Sequence, residues 1–162
     1  MARLLFTSRN FSSLDSSVDN QAGNKLTNLI GKPVVFMNQS HSNLVSVVSD
    51  TATTPDADGL VTTNRDIALA VRVADCLPLL LISNESVSAV HVGRKGLLNQ
   101  VALNAVKKMK ELGSTQITGL VGPHICGNCY EVDSQMYEEI VKDHPATGGK
   151  VNHLNLFAGL ES

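Results

Sequence analysis

The sequence predicts a layered α/β (α+β) domain with one mixed β-sheet, and three observations carry that prediction. Two apolar runs, Leu77–Ile82 and Val87–Val92, flank Asn84-Glu85, the pattern of a tight hairpin. Residues 97–112 carry a helical apolar stripe of Leu98, Ala102, Ala105, Met109 and Leu112, which Lys107, Lys108 and Lys110 avoid. Strand-like and helix-like segments also occur on both sides of this block, a mixture that packs as helices layered on a sheet.

Taken in order, residues 4–7 read as a first strand. Residues 12–23 are polar and carry Ser, Asp, Asn and Gly, a loop leading into a short helix that ends near Gly31. Residues 33–37 form an apolar run after a Gly-Lys-Pro break, which favours a buried strand. Residues 43–48 form a second, β-branched run. Residues 51–58 hold Pro55 and two aspartates and read as an exposed loop. Residues 67–71 are the strand before the hairpin. Gly113 stands where the cap of the 97–112 helix belongs. Residues 117–121 are a further strand, and 134–142 a further helix with Asp133 as N-cap. Residues 154–160 look like the start of an element that the chain does not finish.

Composition narrows the function classes. A chain of 162 residues suits one domain with one core, and 43% apolar with 17% charged residues is a globular balance. The net charge is −2 with scattered Lys and Arg, so no nucleic-acid partner is expected. Leu77–Ile82 is too short to span a bilayer, so no membrane partner is expected either. The apolar run near the N-terminus is too short for a signal-peptide core and ends in Arg9. With three cysteines, an odd number, this predicts reduced thiols in the cytoplasm. The sequence leaves the oligomeric state open.

Cys76 and His91 are the first candidates for chemistry. A turn at Asn84-Glu85 sets residues whose numbers sum to about 169 opposite one another, and Cys76 and His91 fall within one or two residues of that register. The geometry suits thiolate–imidazole pairing or joint metal ligation; the alternative is a buried structural Cys beside an unrelated His. His41 sits in the polar break Asn38-Gln39-Ser40-His41-Ser42 directly after an apolar strand. As a third ligand it completes a Cys-His₂ set with an open fourth position. Such a set holds Zn²⁺ and lowers the pKa of its bound water to about 7.

Two other motifs carry weaker signals. Cys126-Gly127-Asn128-Cys129 has the spacing of a dithiol redox site or of half a zinc site. No second C-x-x-C is present, and Tyr130-Glu131-Val132 separates the pair from the helix capped by Asp133, so a structural turn beside the active site is the simpler reading. Gly93-Arg94-Lys95-Gly96 places two cations before a helix, which reads either as an anion site or as a solvated turn. Gly148-Gly149-Lys150 lacks the remaining residues of a phosphate-binding loop.

Ala74-Asp75-Cys76-Leu77-Pro78, His91-x-Gly93-x-x-Gly96-Leu97, Gly122-Pro123, Cys129-Tyr130-Glu131-Val132 and Gln39-x-His41, in this order, resemble the laccase-domain family. Its members have been labelled polyphenol oxidases and are now regarded as purine nucleoside phosphorylases with adenosine deaminase activity. The resemblance covers roughly residues 33–160. It implies a zinc site carried by His41, Cys76 and His91, and the mixed α/β fold that the family shares with toxin-type Cys-His deamidases. It implies purine nucleosides and phosphate as small-molecule partners, with Gln39, Asp75, Tyr130, Arg94, Lys95 and Arg9 as substrate-binding candidates.

Several features depart from the family pattern. Arg94-Lys95 stands where the family usually has Trp-Arg, and Lys95 cannot offer phosphate the bidentate fork of an Arg. The segment after Thr7-Ser8-Arg9 is shortened to Asn10-Phe11-Ser12-Ser13, and the family's aromatic, arginine-rich C-terminal stretch is missing. The expectation is one laccase-like domain over 1–162, shortened near its N-terminus and truncated at its C-terminus. A metal-free Cys-His hydrolase or amidase, and a non-catalytic remnant domain, are the alternatives.

Overall fold

The hairpin is the centre of the sheet. The structure, a computed structural model, describes residues 2–11, 13–14 and 21–162. Its elements are α1 (Ala22–Ile30), β1 (Val34–Val35), β2 (Val45–Val47), β3 (Gly59–Thr62), β4 (Ala68–Leu69), β5 (Leu77–Ile82) and β6 (Val87–Val92). They continue with α2 (Arg94–Leu98), α3 (Val101–Glu111), β7 (Thr118–Val121), α4 (Ser134–Asp143) and α5 (Leu156–Glu161). Short 3-10 turns lie at Arg9–Phe11 and Pro145–Thr147. Five strands form one sheet in the order β2-β3-β6-β5-β7, parallel only between β2 and β3, so the expected mixed α/β architecture is present.

Leu77 faces Val92 and Pro78 faces His91, the register that a turn at Asn84-Glu85 dictates. Pro78 is tolerated in an inner strand because it lies opposite Gly122, just past β7: its carbonyl accepts from Gly122 N at 3.0 Å, and the Gly122 carbonyl that a Pro cannot serve accepts from His124 Nδ1 at 2.8 Å. The His91 N–H goes the other way, to Asp58 O at 2.7 Å, and needs nothing from Pro78.

Alternation along the strands sorts the core into two parts. Leu77, Leu79, Leu81, Val90 and Val92 share one face, and Val101, Ala105 and Met109 of α3 seal it. On the opposite face Leu60 and Val48 pack with Val35, Met37 and Ile67, carried by the small parallel pair β1-β4. The rest of that second face opens onto a groove.

Ser88 is buried between its ladder partners Leu81 and Val61, and its hydroxyl has no hydrogen-bond partner. Ser88→Ala is therefore expected to raise the unfolding free energy by about 1 kcal/mol, read as a higher urea midpoint. A lower midpoint would mean that the hydroxyl does have a partner.

Several expectations are corrected. Residues 4–7 form no strand: they pair with nothing in the sheet, and Leu4, Leu5 and Phe6 are 40–48% exposed. The Phe6 ring lies over Gly122, in the space an added Cβ would take. The predicted 12–23 loop falls partly outside the described residues, and its last two residues, Ala22 and Gly23, are already helical. The strands at 33–37, 43–48 and 67–71 shorten to β1, β2 and β4.

Residues 97–112 are two helices. Gln100 adopts a left-handed φ of 62° between them, and this joint is docked by Asn43 Nδ2 on Asn99 O (3.2 Å) and Asn104 Nδ2 on Asn43 O (3.0 Å). Asp133 does cap α4, accepting from Met136 N at 2.9 Å, and Gly113 follows α3 with φ 93°. Of the element expected at 154–160, residues 156–160 lie in α5, which Asn155 caps by accepting from Ala158 N. Among the described residues no helix is long and apolar enough to cross a membrane.

A candidate metal centre and its groove

Three segments far apart in sequence meet at the end of the hairpin. Cys76 immediately precedes β5, and His91 is the penultimate residue of β6. His41 lies in the loop after β1, which is anchored by the bridge between Asn38 and Asp56 and by Ala57 N on Asn38 O at 3.2 Å. The donor atoms of His41, Cys76 and His91 all lie within 4.8 Å of one another, and the two imidazoles meet edge to face. Gly93 lets them converge: a Cβ there would stand 3.0 Å from Cys76 Sγ and 3.1 Å from His41 Cδ2.

Asp58 holds this arrangement, and it is the functional residue that sequence reasoning missed. It was expected in an exposed loop, yet it is 0% exposed, at the turn into β3. Its Oδ2 accepts from Ser42 N (2.6 Å), Ser42 Oγ (2.7 Å) and Ser40 N (3.2 Å). Its Oδ1 accepts from His41 N (3.1 Å) and His91 Nδ1 (2.8 Å). One carboxylate thus fixes the backbone of one candidate ligand and the ring of another. It also sustains the left-handed φ of 59° at His41, a conformation uncommon for a residue with a side chain.

Burial pushes the Asp58 carboxyl up, but hydrogen bonds from His91, Ser42 and Ser40 outweigh it, so the group is held below its ordinary value and is ionised at neutral pH. An ionised carboxylate only accepts, so the His91 proton sits on Nδ1 and Nε2 keeps its lone pair for a ligand. The Cys76 thiol moves the other way. Burial raises its pKa, and the carboxylates of Asp75 and Asp58 raise it further.

Two imidazoles and a thiol on a carboxylate-oriented scaffold fit a borderline-soft divalent metal. Tetrahedral donors on such an ion sit about 3.5 Å apart, so closing the trio around it takes about 1 Å of movement. His41 is exposed, so the cluster faces an open groove of about 1820 Å³, large for a small-molecule site.

Gln39 and Asp75 line the groove together with the trio. Gln39 is engaged with the backbone, its Nε2 donating to Arg72 O (2.7 Å) and its Oε1 accepting from Arg72 N (2.9 Å). Arg72 also lines the groove, one guanidinium nitrogen donating to Met37 O at 3.1 Å. Arg94 lines a separate groove with Asp133, Glu139 and Asp143 of the α4 region. It and the exposed Lys95 open α2, which is five residues long. Tyr130 packs against the main core. Arg9 begins the first 3-10 turn.

Comparisons with known proteins identify the family and the fold. A family model described as multi-copper polyphenol oxidoreductase laccase matches residues 15–159. A Streptomyces coelicolor protein named purine nucleoside phosphorylase SCO2081 is 40% identical over 140 residues, covering 80% of this chain and 58% of the relative. A Corynebacterium glutamicum protein, also named a purine nucleoside phosphorylase, is 38% identical over 135 residues, 76% of this chain and 55% of the relative. The chain thus spans about half the length of these curated relatives. Among solved structures, the Neisseria meningitidis protein NMB0706 superposes with a TM-score of 0.75 at 28% identity, covering 91% of this chain and 64% of that one. YlmD from Geobacillus stearothermophilus, 21% identical, shares the fold with a TM-score of 0.76 over 91% of this chain and 66% of its own. With the family match spanning most of the described residues and the three donors converging on one groove, the chain belongs to the multi-copper polyphenol oxidoreductase laccase family.

Proposed function

We propose that this chain is a zinc-dependent, purine nucleoside-processing domain of the cytoplasm, acting by phosphorolysis of adenosine or inosine, by adenosine deamination, or by both. The observation that carries the reading is the convergence of His41, Cys76 and His91 on one groove, with Asp58 orienting both histidines. The names of the curated relatives supply the substrate class. Bound by these three residues, a zinc ion supplies a Lewis acid that activates water at neutral pH.

The chain's own residues do the rest. Asp58 keeps the His91 proton on Nδ1, and the strand-end position of Cys76 holds its sulfur beside the two rings. The wall containing Asp75 and Arg72 faces the same space, so Asp75 offers an acceptor to nucleoside N–H and O–H groups. Arg72 uses one guanidinium donor on Met37 and has four left for phosphate. Arg94 opens onto the other groove, and we assign it no contact with the nucleoside.

Two alternative readings fare worse. A metal-free nucleophile needs a thiolate, and burial and two carboxylates both oppose ionisation of Cys76. Oxidase chemistry with several coppers needs several sites, and among the described residues this is the one cluster of three donors.

Purified protein is expected to carry about one equivalent of zinc and to release free base from inosine or adenosine only when phosphate is added, with ammonia as the readout of deamination. Less than about a tenth of an equivalent, with no uptake on adding zinc, would overturn the metal assignment. Folded, zinc-loaded protein without turnover would mark a non-catalytic domain.

A further inference from the structure

Cys126 and Cys129 lie outside the metal trio and have no part in the reading above. They close a tight turn beyond β7 in which Cys126 O accepts from Cys129 N at 2.9 Å and from Tyr130 N at 3.2 Å. The fold brings the two Sγ atoms to 3.0 Å while both side chains stay exposed to solvent.

The turn is braced on both sides. Ile125 N donates to Asp75 O at 2.9 Å, and Leu154 N to Tyr130 O at 3.0 Å. Gly127 packs so closely that a Cβ there would come 2.7 Å from Asn155 Cβ. Holding two exposed thiols in contact removes most of the entropy cost of joining them. A metal reading lacks support, since among the described residues no third His, Cys, Asp or Glu joins the pair.

We propose that Cys126 and Cys129 form a reversible dithiol–disulfide site that exchanges with low-molecular-weight disulfides of the glutathione class. The Cys126 thiolate attacks one sulfur of the small disulfide, forming a mixed disulfide and expelling one thiolate. Cys129 gives up its proton and attacks Cys126 Sγ, which closes the internal disulfide and expels the second thiolate. The small disulfide gains two electrons and the two protein protons and leaves as two thiols, while the protein dithiol loses two electrons. We assign the first attack to Cys126. The 3.0 Å hydrogen bond between the two sulfurs and the backbone N–H of Asn128 favour the thiolate on Cys126, whose pKa lies below the ordinary thiol value, whereas that of Cys129 is raised by its neighbour.

The full reduced chain, equilibrated in graded reduced and oxidised glutathione, acid-quenched and alkylated with N-ethylmaleimide, tests this by intact mass and peptide mapping. Wild type is expected to lose two maleimide labels together, with a cross-linked Cys126–Cys129 peptide. Cys129→Ser should accumulate one glutathione on Cys126, and Cys126→Ser should react about tenfold more slowly or less. Circular dichroism of each variant establishes that it is folded. The proposal fails if both cysteines stay reduced across the range, if wild type stops at a mixed disulfide, if Cys76 supplies one of the bonded sulfurs, or if added zinc binds the pair and blocks oxidation.

Discussion

Asp58→Asn is expected to weaken binding of the proposed zinc ion by about 10- to 100-fold and to cost about 2 kcal/mol of stability. The carboxylate accepts from Ser40, His41, Ser42 and His91 and donates to none of them. An amide of the same shape must point its NH₂ at one side. Turned toward Ser42, it meets an N–H that the carboxylate accepted at 2.6 Å. Turned toward His91, it donates to Nδ1 and drives the ring proton to Nε2, the nitrogen the metal needs. Competition against a chromophoric chelator reads the affinity, and urea unfolding of the metal-free protein reads the stability. Unchanged affinity in a folded variant would remove Asp58 from the site.

The same carboxyl sets an acid limit. Its pKa is lower folded than unfolded, so its stabilisation is fully present above the ordinary carboxylate value and is lost as pH falls through the lowered one.

Gly93→Ala separates packing from chemistry. Gly93 has φ −80° and ψ 177°, which alanine adopts freely, so the backbone gives no reason for a large loss. The added methyl instead stands 3.0 Å from Cys76 Sγ and 3.1 Å from His41 Cδ2. In the metal-free protein both side chains can swing aside, and unfolding free energy should stay within about 1 kcal/mol of wild type. Gripping an ion removes that freedom, so overpacking of about 1–3 kcal/mol falls on the bound state and affinity should drop by about 10- to 100-fold. A loss of stability with no loss of affinity would make Gly93 a purely structural glycine.

The sequence showed the ladder and the trio more clearly than their support. Two apolar runs around Asn84-Glu85 leave little choice of register, because a slip of one residue would turn Leu77, Leu79 and Leu81 away from α3. That register brings Cys76 and His91 together. His41 came from its place after a strand and from the family motif. Asp58 stayed hidden because Asp56 and Pro55 give its stretch a loop's composition. Its only local cue is the apolar Leu60-Val61 pair that follows, the start of a strand left unassigned.

The Gln100 joint was equally silent. The apolar stripe runs on through it, and the bend depends on Asn43, distant in sequence. Residues 4–7 show the converse: a strand-like composition makes no strand without an edge to pair with. For Arg94 and Lys95, sequence order gave a position beside His91 but not the direction in which α2 carries them.

The wide spacing of the three donors also bears on how the protein would acquire the proposed metal. No stretch of the unfolded chain holds two of them close enough to chelate, and each alone is a weak ligand. In the nascent polypeptide these three donors therefore form no trap, and their cup exists only after β3, β5 and β6 have zipped together and Asp58 has drawn in the loop of His41. Metalation then follows folding, so a chelator should strip the ion and leave a folded apoprotein, unlike a zinc finger that collapses without its ion. A bound ion would stabilise the chain by mass action, with the logarithm of the ratio of its free concentration to the dissociation constant.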